Sequence, residues 1–348
     1  MTQASNPPVT VLGGGAWGTA LAAAACRQSD VVLWGRRESA MADMQRLHIN
    51  ERYLPGIELP KHLRFTADLQ AALQHAGQSS APGLLIIATP MAGLADTCQQ
   101  IGSWLVSGGH TVSNTVAGVI WTCKGLAHDT GLLPHELVQT ALGDLPVRRG
   151  VLSGPSFAKE VARGLPVALT IASKDNNLRD VVTDVLHSDH MRIYSSCDVM
   201  GVEVGGALKN IMAIACGISD GLGLGDNARA ALITRGLAEM TRFGVTLGAQ
   251  TTTFAGLTGL GDLVLTATGD LSRNRQVGLR IGQGESLDQI LAEGITAEGA
   301  RCANAVLGRA QTMGISMPIT EAVCDTLFGG VAPAHAVARL MARSATEE

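Results

Sequence analysis

The chain has 348 residues and a formal net charge of −4, and its hydrophobic fraction is 46%. This length allows one large or two medium domains with a substantial core. The acidic balance and the scattered basic residues argue against nucleic acid or a membrane surface as the main partner.

The first predicted elements are a strand and a helix joined by a glycine-rich turn. The apolar run Val9–Leu12 is followed by the G-x-G-x-x-G pattern Gly13–Gly18. Gly13 permits the tight turn, Gly15 lets backbone amides approach a pyrophosphate, and Gly18 lets the helix pack close to the sheet. The phosphates would lie at the helix N-terminus, where free N–H groups favour an anion. The pattern therefore predicts a dinucleotide site.

The first half of the chain alternates short apolar runs with longer mixed segments. This alternation is typical of a doubly wound, mostly parallel α/β sheet. A turn-rich connection is expected at Pro55–Pro60, and another break at Gln78–Gly83. The predicted strands are Thr10–Leu12, Val31–Trp34, Leu84–Ala88, Val119–Thr122, Val151–Leu152 and Val167–Ile171.

From about Tyr194–Asp198 onward the pattern becomes helical. Helices are predicted at Val199–Ser219 and Asn227–Phe243, and glycine-rich connections at Gly221–Gly225 and Gly256–Gly261. We therefore expect a Rossmann dinucleotide-binding domain at residues 8–194 and an all-helical substrate domain at residues 195–341. The tail Ser344–Glu348 is expected to fray.

The segment after the second predicted strand bears on the choice of cofactor. An NAD site usually has an acidic residue about twenty positions beyond the glycine motif. Here Arg36 and Arg37 occupy that place, and the first acid is Glu38. Paired guanidinium groups suit a 2′-phosphate, so NADPH is the favoured cofactor and NADH a possible one. The alternative is a solvated surface pair.

Two later strand ends supply further candidates. Ligands of an open α/β sheet bind at the carboxyl ends of its strands. Lys124 follows the strand at Val119–Thr122 and is expected to project into that crevice, while Gly154 and Ser156 follow the next strand. Taken alone, a lysine at this position is most often a solvated charge, and the alternative for Ser156 is a helix N-cap.

The predicted helix Val199–Ser219 contains Gly205-Gly206, an unusual pair in a helix interior. Each glycine costs about 1 kcal/mol relative to alanine, so the pair requires close packing or the approach of a ligand. Lys209 in the same apolar segment is expected to be partnered or functional, because isolated burial of a charge is unfavourable. The alternative is a lysine whose amine reaches solvent at the helix edge.

Two further stretches of the helical half carry candidate chemistry. Asp262 either pairs with a cation or caps a helix at Leu263–Thr268. Ser272, Arg273 and Asn274 combine hydroxyl, guanidinium and amide donors suited to a phosphate. His187 and His190 lack further ligands at metal-binding spacing, so no metal site is expected.

These stretches together resemble the NAD(P)-dependent glycerol-3-phosphate dehydrogenase family of the bacterial type. The resemblance covers roughly residues 8 to 340 and several motifs in the family's order. Ala16 stands where serine is frequent, and Cys123 stands where a hydroxyl residue often precedes the lysine. The motifs are Gly13–Gly18, Lys124-Gly125-Leu126, Gly154–Glu160, Leu208-Lys209-Asn210, Gly259–Asp262, Ser272-Arg273-Asn274 and Ala297-Glu298-Gly299.

The resemblance implies a Rossmann domain followed by a helical domain like that of 6-phosphogluconate dehydrogenase relatives. It also implies reversible reduction of dihydroxyacetone phosphate to sn-glycerol 3-phosphate, a phospholipid precursor. Lys209 would be the catalytic proton donor and acceptor, with Asp262 holding its ammonium group. Substrate contacts would come from Lys124, Gly154, Ser156, Lys209, Asp262, Ser272, Arg273 and Asn274. Cofactor contacts would come from Gly13, Gly15, Ala16, Trp17, Gly18, Arg36, Arg37, Lys124, Ala158, Arg273 and Glu298.

Two alternatives remain open at this point. Besides the activity that the resemblance implies, the chain could be a related Rossmann dehydrogenase acting on another phosphorylated or hydroxy-acid substrate, or a non-catalytic NADPH-binding regulator. Seven scattered cysteines without a C-x-x-C spacing favour a reducing, cytoplasmic location. The family resemblance suggests a homodimer.

Overall fold

The computed structural model describes residues 6–77, 81–107 and 115–342. By its internal contacts the chain divides into a first unit, residues 1–123 and 134–199, and a second unit, residues 124–133 and 200–348. A boundary after residue 194 stays a prediction. The predicted break at Gln78–Gly83 lies partly outside the described residues, and the tail Ser344–Glu348 lies wholly outside them.

The first unit is built on an eight-stranded sheet of order β3-β2-β1-β4-β5-β6-β7-β8. Neighbouring strands are parallel except for β6 and β7, which are antiparallel. The first six positions have the Rossmann order, in which ligands bind where the order reverses, beside β1 and β4. The predicted doubly wound, mostly parallel sheet is confirmed. The strands are β1 (Val9–Leu12), β2 (Val31–Trp34), β3 (Arg64–Thr66), β4 (Gly83–Ile87), β5 (Val116–Trp121), β6 (Arg149–Ser153), β7 (Val167–Ala172) and β8 (Met191–Ser196).

The central strands form the core of this unit because they are apolar over their whole length. Every residue of β1, β2, β4 and β5 is buried, as expected for strands covered on both faces. The covering helices are α1 (Ala16–Ala25), α2 (Glu38–Leu47), α3 (Leu69–Gly77), α4 (Leu94–Ser107), α5 (Pro134–Leu142), α6 (Ala158–Ala162) and α7 (Asn176–Leu186), with a short 3₁₀ turn at Met91–Gly93.

The sequence does not predict the two edge strands, β3 and β8. β3 has only three residues and none of them is buried, while β8 contains several exposed residues. Neither strand has the continuous apolar run by which a central parallel strand is recognised.

The described residues of the second unit contain helices and connecting turns but no strand, and the predicted all-α region is confirmed. Its core centres on α8, of which residues 201–219 are all buried. An apolar 18-residue window of α8 is long enough to span a membrane, but 89% of that window is buried inside the protein, as in a core helix. The helices are α8 (Val199–Gly221), α9 (Gly225–Thr246), α10 (Thr251–Phe254), α11 (Asp262–Thr268), α12 (Arg273–Gly282), α13 (Leu287–Ala292), α14 (Glu298–Thr312), α15 (Pro318–Phe328) and α16 (Pro333–Met341).

One predicted connection in this unit is wrong. Residues Leu257–Gly261 form a π-helical turn that leads directly into α11. The turn folds back tightly, since a Cβ at Gly259 would lie 2.1 Å from the carbonyl oxygen of Phe254. The glycines therefore permit a compact helical turn here, where the sequence predicted a glycine-rich connection between helices.

Candidate functional site

The glycine-rich turn follows β1 in the first unit. Gly13 has φ +137°, and a Cβ there would lie 2.6 Å from the carbonyl oxygen of Ala88, just beyond β4. A Cβ at Gly18 would lie 1.9 Å from the carbonyl oxygen of Gly13. Both glycines are thus required by the backbone, and the turn lies at the point where the strand order reverses.

Helix α1 begins directly after this turn and is not capped by a side chain. Gly15 is its N-cap residue, with extended backbone and no side-chain hydrogen bond, and Ala16 and Trp17 open the helix. A Cβ at Gly15 would have no heavy atom within 4 Å, so the turn is open at that position. The first-turn amides of a helix have no partner within it, so this end fits the pyrophosphate of a dinucleotide.

A basic cluster follows β2, and part of it is not predicted by the sequence. Arg36 and Arg37 are both exposed, and Arg37 donates a hydrogen bond to the hydroxyl of Tyr53 at 3.5 Å. The guanidinium carbon of Arg52 lies 5.3 Å from the centre of the Tyr53 ring. Arg52 and Tyr53 are fifteen or more positions beyond the arginine pair, so spacing alone does not connect them. The cluster suits an anionic group such as a 2′-phosphate.

Gly154 and Ser156 lie in the turn between β6 and α6, and Ala158 begins α6. Gly154 has φ +138°, and the Ser156 hydroxyl donates to its carbonyl oxygen at 3.2 Å. The alternative in which Ser156 caps a helix is wrong, because Phe157 is the N-cap residue of α6 and Ala158 is the first helical residue.

In the second unit, close helix packing brings Lys209 to Asp262. A Cβ at Gly205 would lie 2.3 Å from the carbonyl oxygen of Thr258, so α8 touches the π-helical turn that precedes Asp262. One helical turn further along α8, the Nζ atom of Lys209 lies 2.5 Å from Oδ1 of Asp262. Gly205 is therefore a packing position, which is one of the two explanations predicted for the glycine pair.

Asp262 is not a helix cap but the shared partner of two lysines. It lies within α11, and its side chain has no solvent exposure. Its second oxygen, Oδ2, lies 2.6 Å from the Nζ atom of Lys124. One carboxylate thus accepts hydrogen bonds from two ammonium groups.

Lys124 reaches this carboxylate because its segment belongs to the second unit. Residues 124–133 carry Leu126 and Leu133, both of which are buried in the core of the helical unit. The guanidinium of Arg309 on α14 donates to the carbonyl oxygen of Gly131 at 2.9 Å. The sequence alone assigns Lys124 to the first predicted domain and does not indicate that residues 124–133 pack in the second unit.

Thr266 is a further member of the cluster that the sequence does not single out. It lies one helical turn after Asp262, and its Oγ1 accepts a hydrogen bond from Lys209 at 2.9 Å. The same hydroxyl donates to the carbonyl oxygen of Asp262 at 2.6 Å, which fixes its orientation. The i, i+4 spacing from Asp262 is the only signal that could have identified it.

The environment of Lys209 makes its proton easier to lose than that of an exposed lysine. Burial lowers the pKa of Lys209, the Asp262 carboxylate partly opposes this effect, and the nearby Lys124 ammonium adds to it, so that the pKa is about 7. A lysine in this state exchanges a proton near neutral pH, and it can serve as an acid toward a developing oxyanion.

Helix α12 places the three predicted phosphate ligands differently. Ser272 is its N-cap residue and accepts a hydrogen bond from the Arg275 amide, whereas Arg273 is exposed and donates to Thr296. Asn274 is buried, and both ends of its side-chain amide are bonded. Its Nδ2 donates to Oδ1 of Asn210 at 3.0 Å, and its Oδ1 accepts from the backbone amide of Gly299 at 3.0 Å. Asn274 therefore joins α12 to α8 and to the start of α14, where Glu298 is the first residue.

The described residues contain no group of three or more His, Cys, Asp or Glu side chains that could hold a metal ion.

Comparison with known proteins identifies the family. Residues 8–179 match the model of the NAD-dependent glycerol-3-phosphate dehydrogenase N-terminus, and residues 198–338 match that of the C-terminus. A Ralstonia nicotianae protein named glycerol-3-phosphate dehydrogenase (NAD(P)+) is 55% identical over 98% of both chains. The chain belongs to the NAD-dependent glycerol-3-phosphate dehydrogenase family.

Two further similar proteins match this chain over nearly the whole length of both chains. A Burkholderia orbicola protein of the same name is 54% identical over 98% of this chain and 99% of its own. The crystal structure of glycerol-3-phosphate dehydrogenase from Coxiella burnetii is 39% identical, with a TM-score of 0.88 over 98% of this chain and all of that one.

Removing Lys124 should raise the pKa of Lys209. In Lys124→Met the neighbouring cation is lost, and Asp262 is left to pair with Lys209 alone, so the ammonium form of Lys209 gains stability. The sequence contains five lysines, so ¹³C NMR of side-chain-labelled protein can follow each amine against pH.

Lys209→Met assigns the resonance, and Lys174→Met, which changes an exposed lysine of the first unit, is the control. A Lys209 titration that stays in place or moves downward in Lys124→Met would show that the two amines are not coupled through Asp262.

Proposed function

We propose that the protein catalyses the reversible reduction of dihydroxyacetone phosphate to sn-glycerol 3-phosphate with a nicotinamide dinucleotide, and so supplies glycerophospholipid synthesis. The observation that carries the proposal is the Asp262 carboxylate held between Lys209 and Lys124. The names of relatives that are 54 to 55% identical over almost the whole chain support the choice of substrate.

Lys209 acts as the proton donor in reduction and as the proton acceptor in oxidation. When bound, the reduced nicotinamide supplies the hydride for the ketone carbon. The ammonium of Lys209 then neutralises the negative charge on the former carbonyl oxygen and transfers its proton, which yields the alcohol. In the reverse direction the neutral amine removes the hydroxyl proton. A pKa near 7 keeps both forms accessible at neutral pH.

Asp262 and Lys124 position this reaction. Asp262 holds the Lys209 amine by a charge-assisted hydrogen bond, together with Thr266. Lys124 adds a second cation for the carbonyl oxygen or the phosphate of the substrate. Neither group changes its covalent bonding, so both act by orientation and electrostatics.

The substrate phosphate is assigned to the start of α12. Ser272, Arg273 and the first-turn amides of this ten-residue helix offer hydroxyl, guanidinium and N–H donors. Asn274 acts there chiefly by holding α12, since its side chain is engaged by Asn210 and Gly299. Gly154 and Ser156 remain proposed substrate contacts.

The cofactor is assigned to the turn Gly13–Gly18 and to the basic cluster after β2. The open position at Gly15 and the uncapped α1 fit a pyrophosphate. Arg36 and Arg37 stand where an NAD site usually has an acid, which favours NADPH over NADH. The remaining proposed cofactor contacts are Ala16, Trp17, Lys124, Ala158, Arg273 and Glu298.

The two alternatives fit the site less well. A substrate without phosphate leaves the donors at the start of α12 without a role, and a non-catalytic regulator has no need of a buried lysine with a lowered pKa. We also propose a cytoplasmic homodimer. All seven cysteines lie in described residues and none forms a disulfide, which fits a reducing compartment; light scattering of the purified protein would measure the copy number.

Lys209→Met should abolish turnover but keep the cofactor site. The assay follows loss of reduced-nicotinamide absorbance with dihydroxyacetone phosphate, and the variant should lose about 10²- to 10⁴-fold in kcat, the usual contribution of general acid catalysis. Its dissociation constant for NADPH should stay at the wild-type value.

The matched control is Lys174→Met, since Lys174 is exposed in the first unit. Near-normal turnover of Lys209→Met would overturn the lysine mechanism. NADPH binding by the wild-type protein without oxidation would point to another phosphorylated carbonyl substrate or to a regulator.

Arg36→Asp should weaken NADPH far more than NADH. Loss of a guanidinium–phosphate hydrogen bond costs about 1.5–3 kcal/mol, which is about ten- to a hundredfold in the dissociation constant for NADPH. NADH lacks the 2′-phosphate and should change less than about threefold, since an aspartate can accept from its ribose hydroxyls.

Arg192→Asp makes the same charge change on β8, at the opposite edge of the sheet. It should leave both constants unchanged. Equal weakening of NADPH and NADH by Arg36→Asp would mean that the arginine pair is only surface charge.

A further inference from the structure

Asn50 is a buried amide in the first unit that the proposed reaction does not use. It lies between α2 and β3, is 4% exposed, and uses all of its side-chain donors. Its Nδ2 donates to the carbonyl oxygen of Gly14 at 3.3 Å and to Oγ1 of Thr19 at 2.8 Å, and its Oδ1 accepts from the amide of Tyr53 at 3.3 Å. These three bonds fix the amide in one orientation.

The bond to Gly14 has a consequence for the neighbouring amide. The carbonyl of Gly14 and the N–H of Gly15 belong to one planar peptide, and no peptide bond in the described chain is cis. In a trans peptide these two groups point in opposite directions. A donor that holds the Gly14 oxygen toward Asn50 therefore holds the Gly15 N–H away from it.

A glycine turn does not fix this peptide by itself. Glycine populates a wide range of backbone angles, so the peptide between Gly14 and Gly15 can rotate unless something holds it. A rotated peptide would present a carbonyl oxygen where an anion needs a donor. The bond from Asn50 to the Gly14 oxygen holds the peptide, whereas the bond to Oγ1 of Thr19 satisfies the other proton of the same amide.

The same side chain reaches the basic cluster. Its Oδ1 accepts from the amide of Tyr53, whose ring lies under Arg52 and whose hydroxyl accepts from Arg37. The glycine turn and the turn that carries Arg52 and Tyr53 are therefore joined through one buried amide.

We infer that Asn50 is a positioning residue of the cofactor site: it orients the Gly14–Gly15 peptide so that the Gly15 N–H faces the pyrophosphate of a bound dinucleotide. This inference rests on the proposed function, because it requires that the glycine turn bind a dinucleotide. The pyrophosphate is common to NADPH and NADH, so loss of Asn50 weakens both by the same factor.

The test measures dissociation constants for NADPH and NADH from the fluorescence of the reduced nicotinamide. Asn50→Leu removes the donor without adding charge, and Asn50→Asp keeps the shape but offers only acceptors. Each variant should bind both dinucleotides about tenfold more weakly, while the KM for dihydroxyacetone phosphate stays within twofold. Thr19→Val is the control, because it removes one partner of the Asn50 amide and leaves the donor to Gly14 in place.

Thr19→Val should lower the melting temperature as Asn50→Leu does, yet keep both dissociation constants within about twofold. Weakening in proportion to the loss of stability in all three variants, or wild-type constants in Asn50→Leu, would overturn the inference. Weakening of NADPH alone would reassign Asn50 to holding the Tyr53 turn and would also overturn it. Failure of the wild-type protein to bind either dinucleotide would instead refute the proposed function, and the inference with it.

Discussion

The carboxylate of Asp262 faces two ammonium groups in a site from which solvent is nearly excluded. Its side chain has no exposure, that of Lys209 is 8% exposed and that of Lys124 is 20% exposed. Burial of charge is unfavourable unless the charges are paired and hydrogen-bonded. With both lysines protonated the three groups carry a net charge of +1. The cluster is therefore suited to lose one proton or to receive a negative charge.

Backbone packing determines where these three charges meet. Gly205 lets α8 touch the turn before Asp262, and the glycines of that turn let it fold back on Phe254. The segment 124–133 is held by its leucines in the helical core and by Arg309, which brings Lys124 to the opposite oxygen of the carboxylate. A larger side chain at Gly205 would push α8 away from this turn and so separate Lys209 from Asp262, although both charged residues would still be present.

Local patterns in the sequence predict those parts of the molecule that depend on neighbouring residues. The turn at Gly13–Gly18 has a fixed spacing and a required backbone geometry, and the central strands are continuous apolar runs, so both can be read from the chain. Lys209 stands out because a charge in a strongly apolar helix requires a partner. The edge strands β3 and β8 lack such a pattern, so the sequence does not predict them.

Contacts between segments that are distant along the chain could not be predicted from the sequence. Lys124 follows a strand of the first unit, yet its segment is held by the core of the second. Arg52 and Tyr53 join the arginine pair only through the fold, and the residue type of Asn274 does not reveal its bonds to Asn210 and Gly299. Each of these contacts depends on tertiary packing that residue types and spacing do not encode.

The most direct test of the account is the pH dependence of turnover in both directions with saturating cofactor. Reduction requires the ammonium form of Lys209, and that fraction falls as the pH rises through about 7, so the reduction rate should drop about tenfold between pH 6 and pH 8. Oxidation requires the neutral amine and should rise over the same range. Rates in both directions that stay flat from pH 6 to pH 9 would contradict the claim that Lys209, held by Asp262, carries the proton.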